Sequence, residues 1–235
     1  MSFWQGRFVS KTKQYKSQLT TNRECDLYNY LILSILKILH NPHGDILEQT
    51  ILTMTIAIIA LQVVGLYLLL DFLTGVVHFW MDRYGREDMP LVGKAIIEIN
   101  TWHHENPRRM TTRSYWYLCK SGWVGVSAML LGVYLITGTV NWQWWFIGIL
   151  GANANIVHQW AHKFPNEKPA LINWLQKIGI IQRPHDHAQH HTKPETRSYC
   201  TYTPWLNPLL DRIGFWFGIE RFFATFGIYT TDRID

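Results

Sequence analysis

The fold is decided by one uncharged stretch, SGWVGVSAMLLGVYLITGTVNWQWWFIGILGANANIVHQWAH, at residues 121–162. Its 42 residues contain no Asp, Glu, Lys or Arg, and an apolar helix needs about 20 residues to cross a bilayer. A turn-forming sequence interrupts it at 137–141, and the tryptophans that follow are typical of a membrane interface. We therefore predict membrane-spanning helices at 121–137 and 142–162. The alternative, a buried hairpin in a soluble all-α protein, requires a small chain to bury an unusually long uncharged segment.

A second apolar run lies upstream at 49–81, with Asp71 as its only charged residue. As one helix it would be about 50 Å long, which exceeds a hydrocarbon core of about 30 Å. Either this helix extends into water or a shorter span precedes it. The candidate for that shorter span is 27–40, although it contains Lys37.

The basic residues indicate the topology. All 22 Lys and Arg residues fall in three blocks, at 1–37, 83–120 and 163–233. The positive-inside rule places such blocks on the cytosolic side, which requires an even number of spans before Arg83. The sequence therefore predicts an all-α, multi-span membrane helix bundle with four transmembrane helices.

The same map gives the domain organisation. We expect a basic N-terminal segment at 1–26 and a single membrane domain at 27–235, with cytosolic parts at 82–120 and 163–235. Near the C-terminus, 205–226 is predicted to form an amphipathic helix, either on the membrane surface or packed on the cytosolic part. An apolar fraction of 48% and only three cysteines exclude disordered, collagen-like and disulfide-scaffold chains. No nucleic-acid partner is expected.

Eight of the 11 histidines fall into four groups at span ends or in polar segments. The groups are His78 with Asp82; His103 and His104; His158 and His162; and His187, His190 and His191. Residues four apart share one face of a helix, so His158 and His162 can point at one centre. Neutral imidazole is a good ligand for iron, copper, zinc and nickel.

The pattern favours two metals on the cytosolic side. The HQWAH motif lacks the glutamate of a zinc protease HExxH motif, and eight imidazoles exceed one tetrahedral zinc site. Two histidine-ligated irons could activate dioxygen and remove hydrogen from an unactivated C–H bond. A metal-binding membrane adaptor or transporter is the non-enzymatic alternative, but it would place its ligands in the middle of the spans.

The chain resembles the Kua/CarF-like lipid desaturase family, which includes plasmanylethanolamine desaturase and the plastid desaturase of phosphatidylglycerol palmitate. The matching segments are DFLTGVVHFWMD (71–82), MPLVGKAII (89–97), HHENP (103–107) with Thr111, NIVHQWAH (155–162), HAQHH (187–191), Pro194, and Cys200 with TPWLN (203–207). The family's eight histidines fall on the eight grouped here, whereas His40, His43 and His185 have no counterpart.

The resemblance implies an O2-dependent, integral membrane desaturase with two non-haem iron ions held by these histidines. Its substrate would be a membrane phospholipid and its electrons would come from a donor such as cytochrome b5 or ferredoxin. The favoured reaction converts plasmanylethanolamine to plasmenylethanolamine by forming a vinyl ether. The sequence departs from the ether-lipid enzymes after Pro194, where Glu195 follows directly, and 198–200 looks slightly more like the plastid branch. A fatty-acyl desaturase of another phospholipid such as phosphatidylglycerol, and a diiron membrane hydroxylase, therefore stay open.

Three polar residues are candidates for supporting the ligands: Asp71, Asp82 and Asn155. A ligating histidine usually donates its second ring N–H to a carboxylate or carbonyl, and a carboxylate inside an apolar run, such as Asp71, is costly unless it is functional or paired. Direct ligation by Asp82 is the alternative. No catalytic residue is expected beyond the metal ligands.

Overall fold

The computed structural model describes residues 46–231, and the regular elements within that range are all helices. The predicted basic segment 1–26 and the predicted span 27–40 lie outside the described residues. Contacts divide the chain after Val64 into two units. The described part of the first unit is the start of a helix, where Thr50, Thr53 and Thr55 each donate a hydroxyl to the carbonyl four residues earlier.

The α-helices, in chain order, are α1 (Ile46–Arg83), α2 (Glu98–Glu105), α3 (Tyr115–Thr137), α4 (Trp142–Ala152), α5 (Ala154–His162), α6 (Ala170–Lys177), α7 (Pro184–Ala188), α8 (Leu206–Arg212) and α9 (Phe215–Ala224). A π-helix at Gly93–Ile97 precedes α2, and 3-10 turns occur at Pro107–Thr112 and Pro165–Glu167.

Two helices within the described range are long and apolar enough to cross a membrane, at Gln49–Arg83 in α1 and at Tyr115–Thr137 in α3. Both match predicted spans. Helix α3 starts six residues before the predicted 121, because the Ser114 hydroxyl accepts a hydrogen bond from the Tyr117 N–H and caps the helix there. It ends at Thr137, as predicted. Gly138 follows as the C-cap residue, and its positive φ of 75° suits a glycine.

The predicted continuous helix at 142–162 is wrong in one respect, since Asn153 divides it into α4 and α5. The Asn153 amide donates to the Ile149 carbonyl at 2.8 Å, and its side-chain oxygen accepts from the Tyr115 hydroxyl at 2.8 Å. A side chain that binds the preceding turn competes with continuation of the helix. The histidine-bearing helix α5 is consequently a separate element.

The predicted amphipathic helix at 205–226 is likewise two helices, α8 and α9, separated at Gly214. One side packs inward, where Leu210 and Trp216 are buried against Phe79 of α1. The opposite side leaves phenylalanines exposed, including Phe217 at 62%. The inward side is therefore packed within the protein, while its cytosolic location and contact of the outer side with a membrane stay predictions.

The segment 199–203 is held tightly against α1. The buried Asp71 carboxylate accepts hydrogen bonds from the Tyr202 N–H at 2.8 Å and from the Thr203 hydroxyl at 2.5 Å. One turn further on, a Cβ at Gly75 would lie 2.6 Å from the Cys200 Sγ and 3.2 Å from its backbone nitrogen. A carboxylate and a glycine of α1 thus fix this segment in place.

Gly75→Ala is expected to destabilise the protein, whereas Gly65→Ala, in the same helix, is expected to be neutral or stabilising. Alanine favours a helix interior over glycine by about 1 kcal/mol. At Gly75 that gain is outweighed by the clash with Cys200, since overpacking costs about 1–3 kcal/mol; at Gly65 an added Cβ meets no described atom within 4 Å. Thermal unfolding midpoints in detergent test the pair, and an equal rise in both variants would contradict the packing described here.

Candidate metal centre

The eight grouped histidines converge on one region of the second unit. They come from α1, α2, α5, and α7 with the turn that follows it. Their nitrogens, with one carboxylate oxygen, form two groups in which one ligand atom per residue lies within 4.8 Å of the others. Group one contains His103, His158, His162, His187 and His191; group two contains His78, Asp82, His104 and His190.

Local geometry explains how sequence neighbours separate. Consecutive residues of a helix point about 100° apart, so His103 and His104 of α2 belong to different groups. Helix α7 ends at Ala188, so the three histidines of the HAQHH motif do not lie on one helical face. His187 and His191 join group one, while His190 joins group two.

Group one consists entirely of imidazoles, and its nitrogens are close together. The Nε2 atoms of His158 and His187 are 2.7 Å apart, and those of His191 and His187 are 3.1 Å apart. Burial and the neighbouring imidazoles hold the pKa of His103 and of His187 well below the usual range. These rings are therefore neutral near pH 7 and can offer lone pairs.

Group two is centred on the Asp82 carboxylate. Its oxygens lie 3.0 Å from Nε2 of His104, 3.2 Å from Nε2 of His190 and 3.6 Å from Nε2 of His78. Burial disfavours the charged form of His104, but its hydrogen bond to Asp82 and the Asp82 charge outweigh this and raise its pKa. The carboxylate thus faces three ring nitrogens.

The opposite ring nitrogens are fixed by the protein. Nδ1 of His78 lies 3.1 Å from the Tyr199 carbonyl, and Nδ1 of His190 lies 2.8 Å from the Arg197 carbonyl. Because a carbonyl oxygen only accepts, each Nδ1 donates, and in the neutral imidazole this leaves an Nε2 lone pair that faces Asp82. Nδ1 of His104 is 3.4 Å from the Glu195 carboxylate. This is the support that metal-ligating histidines usually have.

In that neutral form, the Nε2 atoms of His78 and His190 face the Asp82 carboxylate as acceptors facing an acceptor. Within residues 46–231, the buried Nε2 atoms of His78 and His190 and Oδ2 of Asp82 find no hydrogen-bond partner, and neither ring nitrogen of His103 does. Buried polar atoms are normally paired, and a cation satisfies converging lone pairs where no donor is present. Two observations therefore fit a metal centre: the ligand atoms of each group lie close together, and several of these buried atoms have no hydrogen-bond partner among the described residues.

The three predicted supporting residues have different places. Asp82 lies among the candidate ligand atoms, which was the alternative interpretation, and it accepts a hydrogen bond from the Asn100 amide at 2.5 Å. Asp71 holds the segment 199–203 rather than a histidine ring. The Asn155 amide donates to the Leu118 carbonyl at 2.7 Å, so it joins α5 to α3.

Several supporting groups were not identified from the sequence. Asn100 lies one helical turn before His103, and that spacing is a signal that could have identified it. The Tyr199 and Arg197 carbonyls have no side-chain signature, and Glu195 reaches His104 only through the tertiary fold. The exposed His185, with an 85% accessible side chain, stays outside both groups, and His40 and His43 lie outside the described residues.

Two larger pockets and a smaller one adjoin the groups, and the two larger ones differ in polarity. An apolar pocket of about 400 Å³ is lined by α1, α3, α4 and α5, and it reaches His78 of group two and His158 of group one. A more polar pocket of about 500 Å³ reaches Asp82 and His104 and is bordered by Lys193 and Glu195. The histidine groups are therefore reached by one apolar pocket and by one more polar pocket.

Comparison with known proteins assigns the family. The chain is 28% identical over 175 residues to a probable fatty acid desaturase of Acanthamoeba polyphaga mimivirus, covering 69% of this chain and 80% of that protein. It is 30% identical to the plasmanylethanolamine desaturases of Myxococcus xanthus (66% of this chain, 57% of that protein) and Mus musculus (69% and 64%). No solved structure matches.

The family model of the lipid desaturase domain matches residues 67–231. That range contains all eight histidines and both larger pockets. The chain spans 57–80% of the length of these three relatives, so it accounts for most but not all of each. On the extent of the family match, the chain belongs to the lipid desaturase domain family.

Proposed function

We propose that the protein is an O2-dependent membrane lipid desaturase that introduces a double bond into a lipid alkyl or acyl chain. The observation that carries this proposal is the position of His78 and His158. They belong to different histidine groups, and both line the apolar pocket between membrane-length helices. A hydrocarbon chain in that pocket would lie beside both groups.

The cofactor in this proposal is a pair of non-haem iron ions, one in each group. The eight histidines and the Asp82 carboxylate would hold them, since imidazole and carboxylate suit iron. Bound iron supplies the capacity to reduce dioxygen and to remove hydrogen from an unactivated carbon. The supporting observations are the two-group geometry and the unpaired buried nitrogens.

The chain's own residues would orient and isolate the reactants. The Tyr199 and Arg197 carbonyls fix two rings of group two, and Asn100 fixes the Asp82 carboxylate. Aliphatic side chains such as Leu73 and Val77 line the pocket, and they would exclude water from the hydrocarbon chain of a bound lipid. Such preorganisation keeps ligands and substrate in productive positions.

The proposed reaction removes one hydrogen from each of two adjacent carbons. With two electrons and two protons, O2 is reduced to two water molecules as the C–C single bond becomes a double bond. An external donor such as cytochrome b5 or ferredoxin would supply the electrons. Arg108, one of the basic loop residues, is paired with Glu167 at 2.8 Å, whereas Arg109 is exposed over the Trp102 ring and is better placed to meet an acidic donor.

The substrate we favour is plasmanylethanolamine, which would be converted to plasmenylethanolamine. Two relatives carry the name plasmanylethanolamine desaturase. The viral relative and a chloroplastic relative of Arabidopsis thaliana are named fatty acid desaturases, so an acyl chain of another phospholipid is the second candidate.

We also propose the four-span topology, with the histidines on the cytosolic side. The α4–α5 pair would form one crossing and 27–40 another, in addition to α1 and α3. The basic blocks that flank the apolar runs support this orientation under the positive-inside rule.

The function is tested by the mass of the product lipid. Expression in a host lacking the activity is expected to yield lipids lighter by two hydrogens, detected by lipidomics that scores acid-labile vinyl ethers and acyl double bonds together. His187→Ala should reduce this product below detection, while His185→Ala, two residues away and exposed, should retain it. Products heavier by one oxygen would instead identify a hydroxylase, and no lipid change would contradict the proposal.

Asp82→Asn is expected to lower the iron content from about two ions per chain towards one. The substitution replaces one carboxylate oxygen of group two with an N–H donor, while group one keeps its five imidazoles. Asp88→Asn serves as the matched control, because Asp88 is an exposed partner of Arg86. Elemental analysis of the purified variants measures the difference, and an unchanged iron content in Asp82→Asn would remove Asp82 from the ligand set.

The topology predicts opposite labelling of two exposed positions. Thr139 lies in the turn between α3 and α4, and His185 lies near the histidine groups. In a Cys25→Ser background, a membrane-impermeant maleimide should label Thr139→Cys only from the non-cytosolic side and His185→Cys only from the cytosolic side. Labelling of both from one side would contradict the proposed hairpin.

A further inference from the structure

The apolar pocket has a histidine end and a far end. Along α1, the lining runs from His78 at the histidine end to Leu70. Along α3 it runs from Gly122 to Met129, and Gly122 lies one turn from Leu118, whose carbonyl accepts from Asn155 of the histidine-bearing α5. Gly122 and Met129 are seven positions apart, which corresponds to about 10 Å along the helix. The pocket is therefore elongated along the helices, which is the direction that membrane lipid chains follow.

The polar side chains that line this pocket are already paired within the protein. Thr74 donates to the Asp71 carbonyl, Asn100 donates to Asp82, and Asn155 donates to the Leu118 carbonyl. In contrast, His78 is 3% exposed and its Nε2 atom has no hydrogen-bond partner within residues 46–231. A ligand in this pocket would thus make apolar contacts along the pocket's length and would meet one unpaired nitrogen, His78 Nε2, at one end.

Two glycines of α3 line the pocket, and they differ in what surrounds them. An added Cβ at Gly122 would lie 2.9 Å from the Ala152 carbonyl oxygen, so this glycine allows α3 to approach α4. An added Cβ at Gly125 would meet no described atom within 4 Å. Helix packing therefore does not account for glycine at 125, where the pocket lining has open space around the backbone.

We propose that Gly125 is a specificity-determining residue, which keeps the pocket open so that a long hydrocarbon chain of a membrane lipid passes it and extends towards Met129. This inference rests on the proposed desaturase function. A larger side chain at 125 would close the pocket one turn beyond Gly122. The variant would then accept only chains that end before that point, while the histidine groups stay unchanged.

The test uses Gly125→Leu and Gly125→Ala, with Gly132→Leu as the matched control. Gly132 belongs to the same helix, has no described atom within 4 Å of an added Cβ, and does not line the pocket. Each iron-loaded protein is reconstituted in phosphatidylethanolamine vesicles that carry alkyl or acyl chains of graded length, and it is supplied with O2 and a reduced electron donor such as cytochrome b5 or ferredoxin. Both the desaturated product and the chain lengths of lipids that co-purify in mild detergent are measured.

Gly125→Leu is expected to lower the ratio of long-chain to short-chain product by about 10-fold or more, since one methylene in an apolar pocket changes specificity by that order. Gly125→Ala should shift it less, and Gly132→Leu should match the wild type. A wild-type length profile in Gly125→Leu, or equal loss at every length, would overturn the inference. If the wild type forms no product, the proposed function fails, and the length profile of the co-purified lipids still decides whether Gly125 limits the chain.

Discussion

Converging lone pairs are the constraint on which the rest of the structure depends. Group two directs the Nε2 atoms of three imidazoles at one carboxylate, and group one brings five imidazoles within contact of one another. In the neutral form, the Nε2 lone pairs of His78 and His190 do not attract the Asp82 carboxylate, and burial removes the water that would otherwise satisfy these atoms. Without cations this arrangement destabilises the folded protein, whereas a pair of bound cations would make it stabilising. For this reason we assign the site to metal.

The scaffold keeps these groups in register through a few specific contacts. Asp71 and Gly75 of α1 fix the segment that contains Tyr199 and Cys200, and the carbonyl of Tyr199 orients His78 of the same helix. Asn153 ends α4, so His158 and His162 lie on a separate helix, α5, which Asn155 joins to α3. Helix α1 thus links the segment that orients group two with one wall of the apolar pocket.

The sequence predicted the elements of this site that repeat with a period. The spacing of His158 and His162 predicted one helical face, and both lie in group one. The long apolar runs predicted α1 and α3. The remaining features depend on tertiary contacts. Asp71 was expected near the histidines because it is an isolated charge, but its partners are 131 and 132 residues away. At Asn153, where α4 ends, the side-chain oxygen accepts a hydrogen bond from the Tyr115 hydroxyl, and no local pattern reveals that contact.

The central claim is that each histidine group holds its own iron ion. The most direct measurement is anomalous X-ray scattering from crystals of the iron-loaded protein, collected on either side of the iron absorption edge. The account predicts two peaks, one among His103, His158, His162, His187 and His191, and one among His78, Asp82, His104 and His190. A single peak, or peaks away from these residues, would contradict it.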